Sequence, residues 1–97
     1  MTEDDLLTRV MDLAELRGWL RVHYRPARTA KGYRTPLQGD KGCPDIILAR
    51  KGVVLLVELK AERRYPTKEQ RAWLDALGVH ARLWRPADWN SIVEELM

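Results

Sequence analysis

The run Val53 to Val57, "VVLLV", constrains this chain most. Five consecutive apolar residues, three valines and two leucines, predict a central strand covered on both faces. Lys51-Gly52 ahead of it is a tight turn, and "DIILAR" (45–50) before the turn is a second strand. The two form an antiparallel hairpin, 45–50 against 53–60. This hairpin carries charge at one end. Residues two apart on a strand point the same way, so Glu58 and Lys60 share a face with Val54 and Leu56. Asp45 starts the first strand and therefore lies beside the end of the second. Asp45, Glu58 and Lys60 are expected to meet at one end of the sheet.

The remaining elements follow from caps and periods. Thr2-x-x-Asp5 opens a helix with Leu6, Leu7, Val10, Leu13 and Ala14 at helical spacing, and Gly18 stops it. "WLRVHY" (19–24) alternates as a strand. Residues 25–42, rich in proline, glycine and cations, show no apolar period and read as a long loop. Pro66-Thr67-x-x-Gln70 opens a second helix with a capping-box pattern, closed by Gly78. "HARLW" (80–84) is a short strand. Pro86 leads into a last helix carrying Trp89, Ile92, Val93 and Leu96 on one face. The order is helix, three strands, helix, strand, helix: an α/β chain with a mixed sheet flanked by helices. The strand–helix–strand unit of 53–84 should pair its strands in parallel. Ninety-seven residues suit a single domain, 1–97.

Charge is distributed unevenly although the net value is only +3. Residues 1–15 hold Glu3, Asp4, Asp5, Asp12 and Glu15 against Arg9. Residues 17–42 hold Arg17, Arg21, Arg25, Arg28, Lys31, Arg34 and Lys41 against Asp40. Such a basic segment suits phosphates; a solvated loop with no partner has the same composition. No apolar stretch reaches the ~18 residues that span a bilayer, and the acidic, polar first residues do not read as a signal peptide. The lone Cys43 has no internal disulfide partner, which points to a reducing, cytoplasmic setting. Cys43 reads as a small filler. His23 and His80 show no metal-ligand spacing. Tyr33 is the one aromatic placed to approach nucleic acid.

Two carboxylates brought together repel unless a cation separates them, and hard oxygen donors suit Mg²⁺ or Mn²⁺. The backbone carbonyl of Leu59 offers a further donor. The plain alternative is that Asp45 caps a turn and Glu58 pairs with Lys60 at a strand end.

These residues resemble a known family. Gly42-x-Pro44-Asp45, then Glu58-x-Lys60, then Thr67-x-x-Gln70 opening a helix, with an acidic residue on the first helix, is similar to the VRR-NUC branch of the PD-(D/E)XK nuclease superfamily, which includes small stand-alone bacterial and phage proteins. The resemblance implies a restriction-endonuclease-like sheet and a metal-dependent DNA endonuclease. It implies Asp45, Glu58 and the Leu59 carbonyl at the metal, Lys60 positioning the attacking water, and Gln70 contacting the site. Gln70 also suits the capping box of Thr67. The family's helical glutamate maps to Glu3, which shares the helix face of Leu6, Leu7, Val10 and Ala14, whereas Asp5 lies on a solvated face. Glu3 equally suits the helix dipole. Arg25, Arg28, Lys31, Arg34, Lys41, Arg63 and Arg64 would bind phosphates, and no base-reading element is evident, so structure-selective cutting of branched or four-way DNA is expected.

Small relatives resemble junction-cutting dimers. Trp73 and Leu74, with Trp89, Ile92, Val93 and Leu96, suit either a two-fold interface or the monomer's core. Three other readings stay open: a non-catalytic nucleic-acid-binding module, an interaction protein with an acidic partner, and an RNA nuclease.

Overall fold

The computed structural model describes residues 1–24, 27–29, 32–34 and 39–97, with backbone alone at 27–29 and 32–34. The first helix, α1 (Glu3–Leu16), starts where expected. Thr2 accepts from the Asp5 N–H, and the Asp5 carboxylate accepts from the Thr2 N–H, so two N-terminal donors are satisfied at once. Gly18, at φ +80°, lets the chain turn out of the helix into β1 (Leu20–His23). The strands β4 (Ile46–Arg50) and β5 (Val53–Leu59) pair antiparallel about the Lys51-Gly52 turn, where both φ angles are positive. Helix α2 (Lys68–Leu77) follows, then β6 (Ala81–Trp84) and α3 (Trp89–Leu96), with short 3₁₀ turns at 78–80 and 86–88.

The main sheet has four strands in the order β1-β4-β5-β6, antiparallel except for the parallel β5–β6 pair. It is therefore a mixed sheet with three helices. One face is sealed. Leu6, Val10 and Ala14 of α1 and Ile92 and Leu96 of α3 pack on Ile46, Leu48, Leu55, Val57, Leu59 and Trp84. These strand residues alternate, so the intervening ones face the other side. That second face is covered only in part. Val53 and Val54 are 50% and 39% exposed, so the central strand is not enclosed throughout. Leu20 and Val22 on β1 are also exposed. The apolar run exceeds what the monomer buries; cover comes at the C-terminal end of β5, where α2 lies.

One other expectation is corrected. The segment 25–42 is not one continuous loop, because β2 (Ala27–Thr29) and β3 (Gly32–Arg34) form a small antiparallel hairpin. Three-residue strands carry too few side chains to show a period. Of the helical apolar residues that suit either a core or an interface, Ile92 and Leu96 are fully buried, Leu74 is buried and Trp89 packs partly buried against the core, whereas Trp73 and Val93 keep part of their surface exposed. Trp19 and Trp84 are buried as well. Among the described residues no helix is long and apolar enough to cross a membrane.

Candidate functional site

The register explains why the acidic residues meet. Ile46 pairs with Val57, so one step outward sets Asp45 opposite Glu58. Val57 and Leu59 point into the sealed core, hence Glu58 points to the other face. There it is only 7% exposed. Helix α2 provides the cover. Gln70 Nε2 donates to Glu58 Oε2 at 3.3 Å, while Gln70 Oε1 accepts from the Thr67 N–H at 2.9 Å. The two roles considered for Gln70 are held together by one side chain. Lys60 Nζ lies 3.5 Å from the same Oε2. Burial, and then the charge of Asp45, push the Glu58 carboxyl up to about 7; Lys60 opposes and Glu3 adds a smaller push in the same direction.

Gly42 makes this packing possible. At φ +96°, a Cβ there would come within 2.6 Å of the Glu69 carbonyl carbon and 2.8 Å of the Gln70 nitrogen, both backbone atoms. The glycine lets the segment leading to Asp45 press on the first turn of α2. Pro44, two residues on, is fully buried.

Glu3 stands at the start of α1 and is exposed, not buried as its helix face suggested. It nonetheless reaches the site's margin, where its Oε1 accepts from the Ala61 N–H at 3.2 Å, just beyond Lys60. His23 was not anticipated. Its Nε2 lies 3.3 Å from Asp45 Oδ2, and the Tyr24 N–H donates to the Asp45 carbonyl at 2.7 Å. Only the β1–β4 register, which sets His23 against Ile46, brings these residues together; spacing along the chain contains no such signal. Cys43 is exposed, so it fills no cavity. Partial burial and the nearby charges of Glu58 and Asp45 raise its thiol's pKa, which disfavours a thiolate nucleophile.

The basic residues divide. Arg63 and Arg64 are exposed on the segment after Lys60. Lys41 is exposed but faces Glu69 at 3.8 Å. Arg28 and Arg34 lie on the β2–β3 hairpin, paired near each other in register, with their side chains outside the described part; Arg25 and Lys31 lie outside the described residues. The side chain of Tyr33 is likewise outside it.

The donor set can be tested against a divalent cation. Among the described residues no group of three or more His, Cys, Asp and Glu is disposed to hold a metal. Two carboxylates do oppose each other, and the main chain adds a donor. The Lys60 N–H bonds to the Trp84 carbonyl on β6 at 3.0 Å, so alternation turns the peptide groups of Leu59 toward β4. One further step of that register puts Leu59 opposite Pro44, which has no N–H. The ladder cannot satisfy the Leu59 carbonyl there. Two carboxylates and one carbonyl are hard oxygen donors, a set suited to Mg²⁺ or Mn²⁺ retaining several waters and unlike a closed zinc cage.

Comparison with protein-family models, curated proteins and solved structures gave no match to this chain.

Proposed function

We propose that the protein is a metal-dependent DNA endonuclease of the PD-(D/E)XK type, with a restriction-endonuclease-like sheet and its nearest resemblance in the VRR-NUC branch. The observation that carries the proposal is the Glu58 carboxylate. It is buried, opposed to Asp45, and touched on one oxygen by both Lys60 and Gln70. A carboxylate held this way at the expense of its ionisation is characteristic of a site selected for chemistry.

Asp45, Glu58 and the Leu59 carbonyl would hold Mg²⁺ or Mn²⁺, which when bound activates water and neutralises charge on the phosphate oxygens. The protein's own groups do the rest. Gln70 fixes the rotamer of Glu58 while capping its own helix. Lys60 holds its ammonium beside the carboxylate, where it orients the attacking water and offsets negative charge at phosphorus. Glu3 ties down the peptide after Lys60, and His23 orients Asp45 from β1. Arg63 and Arg64, exposed just after Lys60, and Lys41, exposed shortly before Asp45, would contact the phosphate backbone, which positions a duplex without reading its sequence. A branched or four-way DNA is the proposed substrate, and a two-fold dimer would supply one site per strand.

Cleavage of duplex, flap, fork and four-way DNA with Mg²⁺ or Mn²⁺ tests this. Lys60→Ala should lower turnover on the order of a hundredfold while leaving DNA affinity nearly unchanged. Equal losses in both would reduce Lys60 to a phosphate contact. A protein that binds DNA without cutting any of these substrates would be a binding module.

A further inference from the structure

The segment 61–66 leaves the site with an unusual combination of order and exposure. It is tied at several points. Ala61 N–H bonds to Glu3, Arg64 N–H bonds to the Ala61 carbonyl at 3.2 Å, and Glu62 accepts from the Ala87 N–H at 2.7 Å. Arg63 takes a left-handed conformation, φ +64°, which a non-glycine residue adopts only when its surroundings impose it. This ordered turn then projects Tyr65 into solvent, 76% exposed. The ring is steadied from one side, with the Arg85 guanidinium 5.4 Å from its centroid while Arg85 Nη2 donates to the Arg64 carbonyl at 2.8 Å.

A second exposed ring stands on the β1 side of the carboxylates. Tyr24, 55% exposed, follows β1, and its N–H bonds to the Asp45 carbonyl. One step beyond the His23–Ile46 pair, the register places Tyr24, Asp45 and Glu58 on successive strands at one level. Tyr24 therefore lies two strand spacings, roughly 10 Å, from Glu58. On the opposite side of β5, the Leu59–Trp84 pair sets Arg85, which carries the Tyr65 ring, one step beyond β6 and level with Lys60. Arg63 and Arg64, both exposed, precede Tyr65 in the chain.

We infer that Tyr65, assisted by Tyr24, is a stacking subsite for an unpaired DNA base beside the cut. This rests on the nuclease proposal and narrows its substrate. Phosphate contacts alone would accept any duplex. A base within a duplex has both faces occupied by its neighbours, whereas a tail, flap or branch point offers a free face to a ring. The arginines hold the adjoining phosphates, so the subsite selects DNA that is unpaired within a few nucleotides of the scissile bond.

The test compares a blunt DNA duplex with the same duplex carrying a short unpaired tail that contains 2-aminopurine, using Ca²⁺ in place of Mg²⁺ to hold the DNA uncut. The native protein should bind the tailed DNA on the order of tenfold more tightly and quench the probe. Tyr65→Leu should remove both effects and leave the blunt duplex unaffected; Tyr65→Phe should keep them. Tyr65 is exposed, so both variants should melt like the native protein. Three results overturn the subsite: no preference for the tail, a Tyr65→Leu variant with preference and quenching intact, or equal loss on both DNAs. Preference for an RNA tail alone overturns the assignment to DNA. A native protein with the tail preference but no cleavage in Mg²⁺ or Mn²⁺ retains the subsite and refutes the nuclease.

Discussion

The two ends of the β4–β5 hairpin each set charge against an apolar core, and they do so in opposite ways. At the turn end, Arg50 donates to the carbonyls of Arg17, Leu96 and Met97 and lies 4.3 Å over the Trp19 ring. One cation thereby ties together the C-terminal ends of α1 and α3, and the negative ends of both helices favour it. At the other end, Glu58 is buried beside Asp45 and remains difficult to ionise despite Lys60 and Gln70. The first arrangement is complete within the chain. The second is the one proposed to take a cation from outside it. A charge that is fully satisfied stabilises a fold; a pair of like charges held together costs stability and is kept for function.

Substitutions at the two ends should therefore differ in sign as well as in kind. The largest effect is on activity. Asp45→Asn or Glu58→Gln should reduce DNA cleavage by a hundredfold or more, on the order of losing a charged group at the reacting centre, while raising the melting temperature of the metal-free protein. A variant that cuts at the native rate would remove that residue from the site.

The next effect is pH dependence. The folded Glu58 titrates near 7, above its ordinary 4.5, so the native state holds a proton that the unfolded state has released between those values. Its contribution to stability is complete below about pH 4.5 and is lost as pH rises through 7, a change of roughly 3 kcal/mol at most. Melting of the metal-free protein should fall between pH 5 and pH 8, and Glu58→Gln should flatten that slope. Parallel slopes for the two proteins would show that Glu58 is ionised normally.

The smallest effect belongs to the turn end. Arg50→Ala should cost roughly 2 kcal/mol, from unpaired carbonyls and the lost contact with Trp19, with no direct effect on the site. An Arg50→Ala protein that melts like the native one would mean the clamp contributes little.

The course of β4 and β5 was legible because both strands are long and apolar and the Lys51-Gly52 turn sets their register. That register alone predicts Asp45 opposite Glu58. The caps at Thr2 and Thr67 were legible because each depends on residues three apart. The contact of His23 with Asp45 was not, because β1 joins β4 across more than twenty residues and no local pattern specifies that pairing. Exposure was also hard to judge. Glu3 shares a buried helix face yet stands at its exposed end, and Val54 belongs to an apolar run yet lies at the turn end of its face, beyond the part that α2 covers. The role of Gly42 depends on how closely two backbones approach, which only their packing reveals.

Titration with Mn²⁺, followed by the loss of its free-ion electron paramagnetic resonance signal, tests the central claim most directly, since it needs neither a substrate nor a chosen DNA shape. The native protein should take up Mn²⁺ saturably near pH 7.5, and Asp45→Asn and Glu58→Gln should each abolish that uptake while Arg50→Ala retains it. Undiminished binding in both carboxylate variants, or no binding by the native protein, would contradict the assignment of this end of the sheet as a cation-dependent site.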